Sequence, residues 1–295
     1  MSWLICATHD HLSTCPLEPR HLAVITSELK MRLSKCALCL EGKELRESHI
    51  IPKFLWRRAG FLGSPHFRRN ADETKDTKKY HQDGPKEKLL CGSCEQRCGR
   101  YETYFSNKFY KPGGLFHEAS RPVAEPGTRI KLNDLYFAKV KLFGMVTFYK
   151  VFVSNLPEYS SLVGPSWLRP DDLELLRMKI LQEDAEVEHE FSLSLHLLGL
   201  SVGDLDFAKG SPDRLWVMPP YVDQRNGLIR FVIDGILYSF FPSTNASYPL
   251  SHDFPRRDGS WVLHHGHFRD YPELMWAYKE IKKRGEEFFE PPPKK

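Results

Sequence analysis

The spacing of apolar residues predicts which parts of the chain form helices. Apolar positions that recur every three or four residues are typical of a helix with one buried face. This pattern predicts helices at residues 18–33, 52–61, 93–109, 133–156, 169–183 and 271–289. Proline stands in the first turn of three of them, at Pro19, Pro52 and Pro170, where it costs no helical hydrogen bond.

The second half of the chain also contains strand patterns. Apolar and polar residues alternate from Phe191 to Leu197, which is the period of a strand with one buried face. We expect further strands at residues 215–218, 228–233 and 236–241. Asp234-Gly235 separates the last two of these, and this dipeptide favours a two-residue hairpin turn.

The order of these elements predicts the fold class and the domains. A polar stretch at residues 66–88 predicts a loop, and long apolar segments dominate after about residue 115. We therefore expect an α+β protein in which a Cys-rich domain precedes a second domain of mixed helices and antiparallel sheet. We predict four segments: an N-terminal helical extension at 1–35, the Cys-rich domain at 36–115, an α+β domain of unknown role at 116–290, and a tail at 291–295.

Composition and charge exclude several classes of protein. Hydrophobic residues make up 41% of the 295 residues and charged residues 27%, which is typical of a soluble globular protein. The longest apolar stretch, residues 135–156, contains three lysines, so we expect a core helix and no membrane partner. Without a secretory signal pattern, we expect a cytoplasmic protein. Between Lys30 and Lys111 there are 19 basic and 10 acidic residues, and this local charge of +9 favours a polyanionic partner.

Five of the seven cysteines lie close together in the sequence. Cys36 and Cys39 form one Cys-x-x-Cys pair, and Cys91 and Cys94 form another after 51 intervening residues. Each pair supplies two thiolates at the spacing of a tetrahedral Zn²⁺ site, so the sequence predicts a structural zinc ion. Three alternatives stay open: four buried apolar cysteines, a redox-active pair, or Cys98 in place of one ligand.

The residues around the two cysteine pairs resemble those of the zinc-containing HNH, or ββα-metal, nucleases. In that family a Cys-x-x-Cys pair precedes a strand that ends in [DE]-H-I-x-P, and a second strand ends in L-C-x-x-C before a helix. This chain has CALC, SHIIP and LLCGSCE in the same order. The resemblance covers residues 36–110 and implies a zinc-knuckled ββα-metal unit. The string LLCGSCEQRCGRYETYFSNKFY also resembles a bacterial group of HNH-like proteins with a long, uncharacterised C-terminal domain.

The resemblance also implies chemical roles for single residues. His49 corresponds to the general base that activates water for attack on a phosphodiester. Glu95 corresponds to the helix-borne ligand of a catalytic Mg²⁺ or Mn²⁺ ion. Glu102 lies two helical turns after Glu95 and is a second candidate ligand or a supporting residue. We expect His49 to end a strand and to flank one small site together with Glu95.

Two positions depart from the family pattern. Ser48 stands where the family has an acid that helps to bind the metal, and a hydroxyl is a weaker Mg²⁺ ligand than a carboxylate. The central Asn of the family is also missing, and the nearest substitutes lie in the polar loop, at Asp83 and Asn70.

Basic residues beside this block are candidate phosphate contacts, because a nuclease must neutralise the backbone of its substrate. They are Lys53, Arg57, Arg58, Arg68, Arg69, Lys78 and Lys79. A solvated surface is the alternative, and we expect Phe54 and Trp56 among them to be packing residues. We interpret the cluster His264, His265 and His267 as structural, because adjacent side chains of a strand point to opposite faces.

Two hypotheses of function follow from the sequence. The first is a metal-dependent HNH-like nuclease that cleaves DNA in preference to RNA, with a C-terminal domain that selects the substrate or contacts a protein partner. The resemblance implies a context of phage defence for such a protein. The second is a catalytically inactive, zinc-stabilised module that binds nucleic acid or docks a protein, and Ser48 favours it. A weaker third hypothesis makes the C-terminal domain a sensor of an unidentified ligand.

Overall fold

The computed structural model describes residues 35–58, 84–117, 127–160, 162, 169–187, 190–199, 218–223, 227–242, 254–267 and 270–276. Within these ranges the chain is a mixed α+β protein, as the sequence predicts. It contains a two-stranded sheet and a six-stranded sheet, with helices packed on both. The predicted helix at 18–33 and most of the predicted C-terminal helix lie outside the described residues, and only 272–276 of the latter are seen to be helical.

The Cys-rich part forms a hairpin followed by a helix. Strand β1 (Leu45–His49) pairs antiparallel with strand β2 (Lys86–Cys91), and helix α2 (Gly92–Phe105) follows β2 directly. The short helix α1 (Lys53–Arg58) lies between the strands, within the range predicted for it. The predicted loop at 66–88 is wrong at its end, because residues 86–88 are paired with β1. That polar segment is a strand because β1 supplies its hydrogen-bonding partners.

The later part of the chain is built on a mixed sheet. Its strands are β3 (Arg129–Leu132), β4 (Ser192–Gly199), β5 (Met218–Asp223), β6 (Leu228–Ile233), β7 (Ile236–Phe241) and β8 (Trp261–His267). Their order is β3-β8-β4-β7-β6-β5, and every pairing is antiparallel except that of β4 with β8. The sequence predicts no strand at β3 and gives no bounds for the strand of the histidines, β8. The strand predicted at 215–218 overlaps β5 only at Met218, and residues 215–217 lie outside the described residues. The histidine cluster belongs to β8, where Trp261, Leu263 and His265 are buried at alternate positions.

The hairpin between β6 and β7 confirms the turn prediction. Asp234 has φ of 54° and Gly235 has φ of 66°. Positive φ at both central residues matches the right-handed twist of the flanking strands, and aspartate and glycine tolerate it best. The register that follows pairs Ile233 with Ile236 and Phe231 with Tyr238.

Helix α3 (Phe137–Val153) is the core helix that the apolar stretch predicts. Nearly all of its residues are buried, including Lys141 and Lys150, and it packs against α2 and β4. In the described part of the chain the remaining helices are a π-helical segment, Ser106–Tyr110, that continues α2, the short α4 (Pro157–Ser160) and α5 (Pro170–Gln182). Among the described residues, no helix combines the length and the apolar character needed to cross a membrane.

Among the described residues, one hydrophobic core cluster includes residues from both parts of the chain. Phe105 of α2 stacks on Phe143 of α3 with ring centroids 3.8 Å apart. The hydroxyl groups of Tyr110 and Tyr238 are hydrogen-bonded at 2.5 Å, which ties the π-helical segment Ser106–Tyr110 after α2 to β7. The core therefore fixes the hairpin and α2 against the six-stranded sheet.

Candidate metal centre and the adjoining Ser48–Glu95 site

The four predicted cysteines come together in the structure. The sulfur atoms of Cys36, Cys39, Cys91 and Cys94 all lie within 4.8 Å of one another. The first pair is held in a tight turn, in which the amide of Leu40 donates to the carbonyl oxygen of Cys36 at 2.9 Å. Leu40 itself has φ of 62°, and this left-handed residue closes the turn. The second pair joins the end of β2 to the first turn of α2.

The spacing of the sulfur atoms fits a tetrahedral metal ion. With a zinc–sulfur bond of about 2.3 Å, a tetrahedral site separates its sulfur atoms by about 3.8 Å. The sulfur atoms of Cys39 and Cys91 are 3.8 Å apart. Cys98 does not belong to the group of four, so within the described residues the structure excludes it as a replacement ligand. The cluster can bind a metal ion such as zinc.

Hydrogen bonds around Cys91 prepare its thiol for ligation. Burial raises the pKa of Cys91. Hydrogen bonds from the Ser93 hydroxyl, the backbone amide of Cys94 and the neighbouring thiols outweigh this effect and lower the pKa to about 6. The backbone amide of Cys91 also donates to the sulfur of Cys36 at 3.3 Å. A metal binds the thiolate rather than the thiol. With a pKa of about 6, Cys91 offers a thiolate at neutral pH.

Two side chains from the later part of the chain bind the backbone of the first knuckle. The hydroxyl of Tyr149 on α3 donates to the carbonyl oxygen of Ala37 at 2.6 Å. Arg177 on α5 donates to the carbonyl oxygen of Leu38 at 2.6 Å. The cysteine cluster is therefore anchored to the second part of the chain as well as to the hairpin.

Ser48 and Glu95 meet where the strand ends and the helix begins. The Ser48 hydroxyl donates a hydrogen bond to Oε1 of Glu95, although 47 residues separate the two. Ser48 is fully buried, and Glu95 lies in the first turn of α2, where the helix dipole favours a negative charge. These are the two positions at which the family resemblance implies metal ligands.

His49 ends β1, as the sequence predicts, but the expectation that His49 and Glu95 flank one site is wrong. Ser48, whose side chain points to the other face of the strand, is the residue that contacts Glu95. In the ladder His49 pairs with Lys86 and Glu47 pairs with Lys88. Because side chains alternate along a strand, these residues belong to the hairpin face that is turned away from α2. His49 is half-buried on that face, whereas Glu47, Lys86 and Lys88 are exposed.

Glu102 pairs with a lysine that the sequence did not single out. Its Oε1 lies 2.7 Å from Nζ of Lys150 on α3, and the Lys150 side chain is only 2% exposed. Burial lowers the pKa of Lys150, but Glu102, Cys98 and Glu95 together raise it above the ordinary lysine value. The position of Lys150 within an apolar helix was a sequence signal for a buried charge that needs a partner. Helical spacing alone does not identify that partner as Glu102.

The structure describes only part of the predicted phosphate-binding surface. Lys53 is half-buried on α1, and the backbones of Arg57 and Arg58 continue that helix, but their side chains are outside the described residues. Phe54 packs against Phe105, as expected for a core residue, and Trp56 is buried. The other predicted phosphate contacts, Arg68, Arg69, Lys78 and Lys79, lie outside the described residues. Asp83 and Asn70, the candidate substitutes for the family's central Asn, also lie outside them.

The histidine cluster lies away from the cysteine cluster, on the six-stranded sheet. His264 pairs with His196 across β8 and β4, and their ring centroids are 5.5 Å apart. Nδ1 of His196 is hydrogen-bonded to the Tyr271 hydroxyl. Gly266 leaves room for Tyr271, since a Cβ at this position would lie 2.7 Å from its hydroxyl. These contacts pack Tyr271 against the sheet.

Comparisons with known proteins add no relative to this picture. No protein-family model, no curated protein and no solved structure matches the chain.

Proposed function

We propose that residues 36–110 form a zinc-pinned, HNH-like nuclease unit that hydrolyses phosphodiester bonds of DNA. The observation that carries this proposal is the contact between Ser48 and Glu95. The resemblance implies that both positions address one metal ion, and the fold brings them into contact across a long separation in sequence. The four-cysteine cluster at the other end of β2 supports a structural zinc ion there.

Each residue of the unit then has a defined task. Cys36, Cys39, Cys91 and Cys94 hold the zinc ion, which fixes the register of β2 and the start of α2. Glu95 supplies a carboxylate oxygen, the ligand type that Mg²⁺ and Mn²⁺ prefer. A divalent cation bound there supplies charge stabilisation for the leaving oxygen. The resemblance assigns the proton of the attacking water to His49.

The two faces of β1 constrain this chemistry. In an in-line displacement the attacking water and the leaving oxygen lie on opposite sides of the phosphorus atom. In this structure the backbone of β1 lies between His49 and Glu95, so the two residues serve one phosphorus atom only after a shift at the end of the strand. The arrangement as it stands favours the binding module described below. Lys86 and Lys88 are exposed on the His49 side and offer positive charge to the flanking phosphates.

A plasmid-nicking assay with added Mg²⁺ or Mn²⁺ tests the proposal. Wild-type protein should convert supercoiled plasmid to nicked circles, and His49→Ala should slow cleavage at least about 100-fold. His267→Ala is the matched control and should cleave at the wild-type rate. Glu95→Gln should abolish the stimulation of cleavage by the divalent cation. Ser48→Asp should increase cleavage by adding the missing carboxylate. Cleavage that survives His49→Ala would contradict the mechanism.

A specific observation favours the inactive module as a second candidate. Both carboxylates on this face of α2 already have protein partners, because Glu95 accepts from buried Ser48 and Glu102 pairs with Lys150. A closed pair of this kind stabilises the junction of strand and helix without any bound cation. The protein would be identified as a binding module if it bound DNA in a salt-dependent way but neither the wild type nor Ser48→Asp cleaved DNA in the presence of Mg²⁺ or Mn²⁺.

A further inference from the structure

The face of α2 that contains Glu95 also contains Cys98 and Glu102. These residues are spaced at i, i+3 and i+7, so their side chains lie above one another on one side of the helix. Helix α3 packs on this side and directs Lys150 at it. Cys98 and Lys150 are buried in this contact, whereas the side chain of Glu102 is 23% exposed.

The charges of this contact do not cancel. Glu95 and Glu102 contribute two negative charges and Lys150 contributes one positive charge. The Cys98 thiol stays neutral, because burial raises its pKa to about 12 in spite of the nearby Lys150. The face therefore has a net charge of about −1 at neutral pH.

We propose that Lys150 is a built-in counter-cation that limits how tightly the Ser48–Glu95 site binds a divalent ion. This inference rests on the proposed function, because it concerns the cation site of that unit. The ammonium group is fixed at 2.7 Å from Glu102, on the helix face that Glu95 shares. A divalent cation at Glu95 is repelled by the ammonium and attracted by the carboxylates. The later part of the chain, which supplies Lys150, thus controls the metal affinity of the hairpin unit.

Mn²⁺ binding to the zinc-loaded, full-length protein tests the inference without any need for cleavage. The electron paramagnetic resonance signal of free Mn²⁺ measures the dissociation constant directly. Lys150→Met changes the face charge to about −2 and should tighten Mn²⁺ binding by about tenfold or more. Lys150→Met/Glu102→Gln returns the charge to about −1 and should restore the wild-type affinity.

A second pair of proteins keeps the test valid if Lys150→Met does not fold. Glu102→Gln should bind Mn²⁺ more weakly than the wild type, and adding Lys150→Met to it should tighten binding again. Glu95→Gln in either Lys150→Met background should remove the gain, which assigns the added affinity to Glu95. Equal Mn²⁺ affinity with and without Lys150 in both backgrounds would overturn the inference. A failed nicking assay would instead count against the nuclease and leave the affinity comparison intact.

Discussion

The guanidinium group of Arg177 donates a hydrogen bond of 2.6 Å to the carbonyl oxygen of Leu38, although 139 residues separate them. Leu38 lies inside the first Cys-x-x-Cys knuckle, and both residues are buried. Glu174 fixes the same guanidinium from the solvent side at 2.6 Å. Helix α5 is therefore bonded to the cysteine cluster, and the stability of the cluster depends on the second part of the chain.

Removing this hydrogen bond should destabilise the whole protein. Arg177→Met leaves the buried carbonyl oxygen of Leu38 without its charged donor, and we expect the free energy of unfolding to fall by about 2 kcal/mol. Arg169→Met is the matched control, because Arg169 lies just before the same helix with its side chain 73% exposed. Arg169 pairs with Asp172, through hydrogen bonds of 2.8 and 2.9 Å at the start of the helix, so its loss should cost no more than about 1 kcal/mol. Urea denaturation measures both, and equal effects would argue against the Arg177 anchor.

Zinc content should depend on Cys94 and not on Cys98. We expect the purified wild type to contain about one zinc ion per chain, and Cys94→Ala to have lost most of it, because the tetrahedral set is then incomplete. Cys98→Ala should keep its zinc, since this cysteine lies on α2 outside the group of four. Elemental analysis decides between them. Zinc retained by Cys94→Ala would disprove the proposed ligand set.

Chelation of the metal should lower the melting temperature of the whole chain in one transition. Metal-binding energy is folding energy for a site that does not exist in the unfolded chain. Because Tyr149 and Arg177 bond to the first knuckle, loss of its geometry also affects α3 and α5. Circular dichroism and near-ultraviolet absorbance should show coincident transitions. Separate transitions would show that the hairpin unit unfolds independently.

The two buried lysines of α3 should respond to substitution with opposite signs. Lys141 has its pKa lowered to about 8 from 10.5, mainly by burial, and it donates to the carbonyl oxygen of Val187. The unfolded chain keeps this proton between pH 8 and 10.5 while the folded chain loses it, so stability rises with pH across this window. Below pH 8 Lys141 is protonated in the folded state as well, and the burial of its charge lowers the free energy of unfolding by about 3 kcal/mol.

Lys141→Met should therefore raise the free energy of unfolding at pH 7, by up to about 3 kcal/mol, and the gain should shrink toward pH 10. Lys150→Met is the contrast, because it leaves Glu102 without its buried partner and should cost about 3 kcal/mol at pH 7. Urea titrations at both pH values give the differences, in which the other titrating groups cancel. Destabilisation by Lys141→Met at pH 7 would show that its hydrogen bond outweighs its burial.

Nucleic-acid binding should depend on the exposed lysines of β2. Lys86→Glu/Lys88→Glu reverses two charges on the hairpin face that contains His49, and we expect weaker binding with a salt slope reduced by about two. Arg129→Glu/Lys131→Glu is the matched control, because these residues have the same spacing on exposed positions of strand β3. Fluorescence anisotropy at several salt concentrations measures both slopes. Equal slopes for the two variants would remove the hairpin face from the binding surface.

Local patterns in the sequence account for much of the fold. Asp234-Gly235 determined its hairpin because the turn depends on two residues that tolerate positive φ. The alternation from Phe191 to Leu197 marked β4, since one face of that strand is buried. The two Cys-x-x-Cys pairs predicted the four-sulfur cluster, because each pair has its ligand spacing built into a single turn. Each of these signals is complete within a few neighbouring residues.

Tertiary structure decided the features that depend on distant partners. The start of β2 at Lys86 is polar, and β1 makes it a strand by supplying backbone hydrogen bonds. Strand β3 has four residues and becomes ordered against β8. The contact of Ser48 with Glu95 and the pairing of Lys150 with Glu102 join residues 47 and 48 positions apart. Helical or strand periodicity reports which face of an element is buried, and only packing determines which side chain lies opposite.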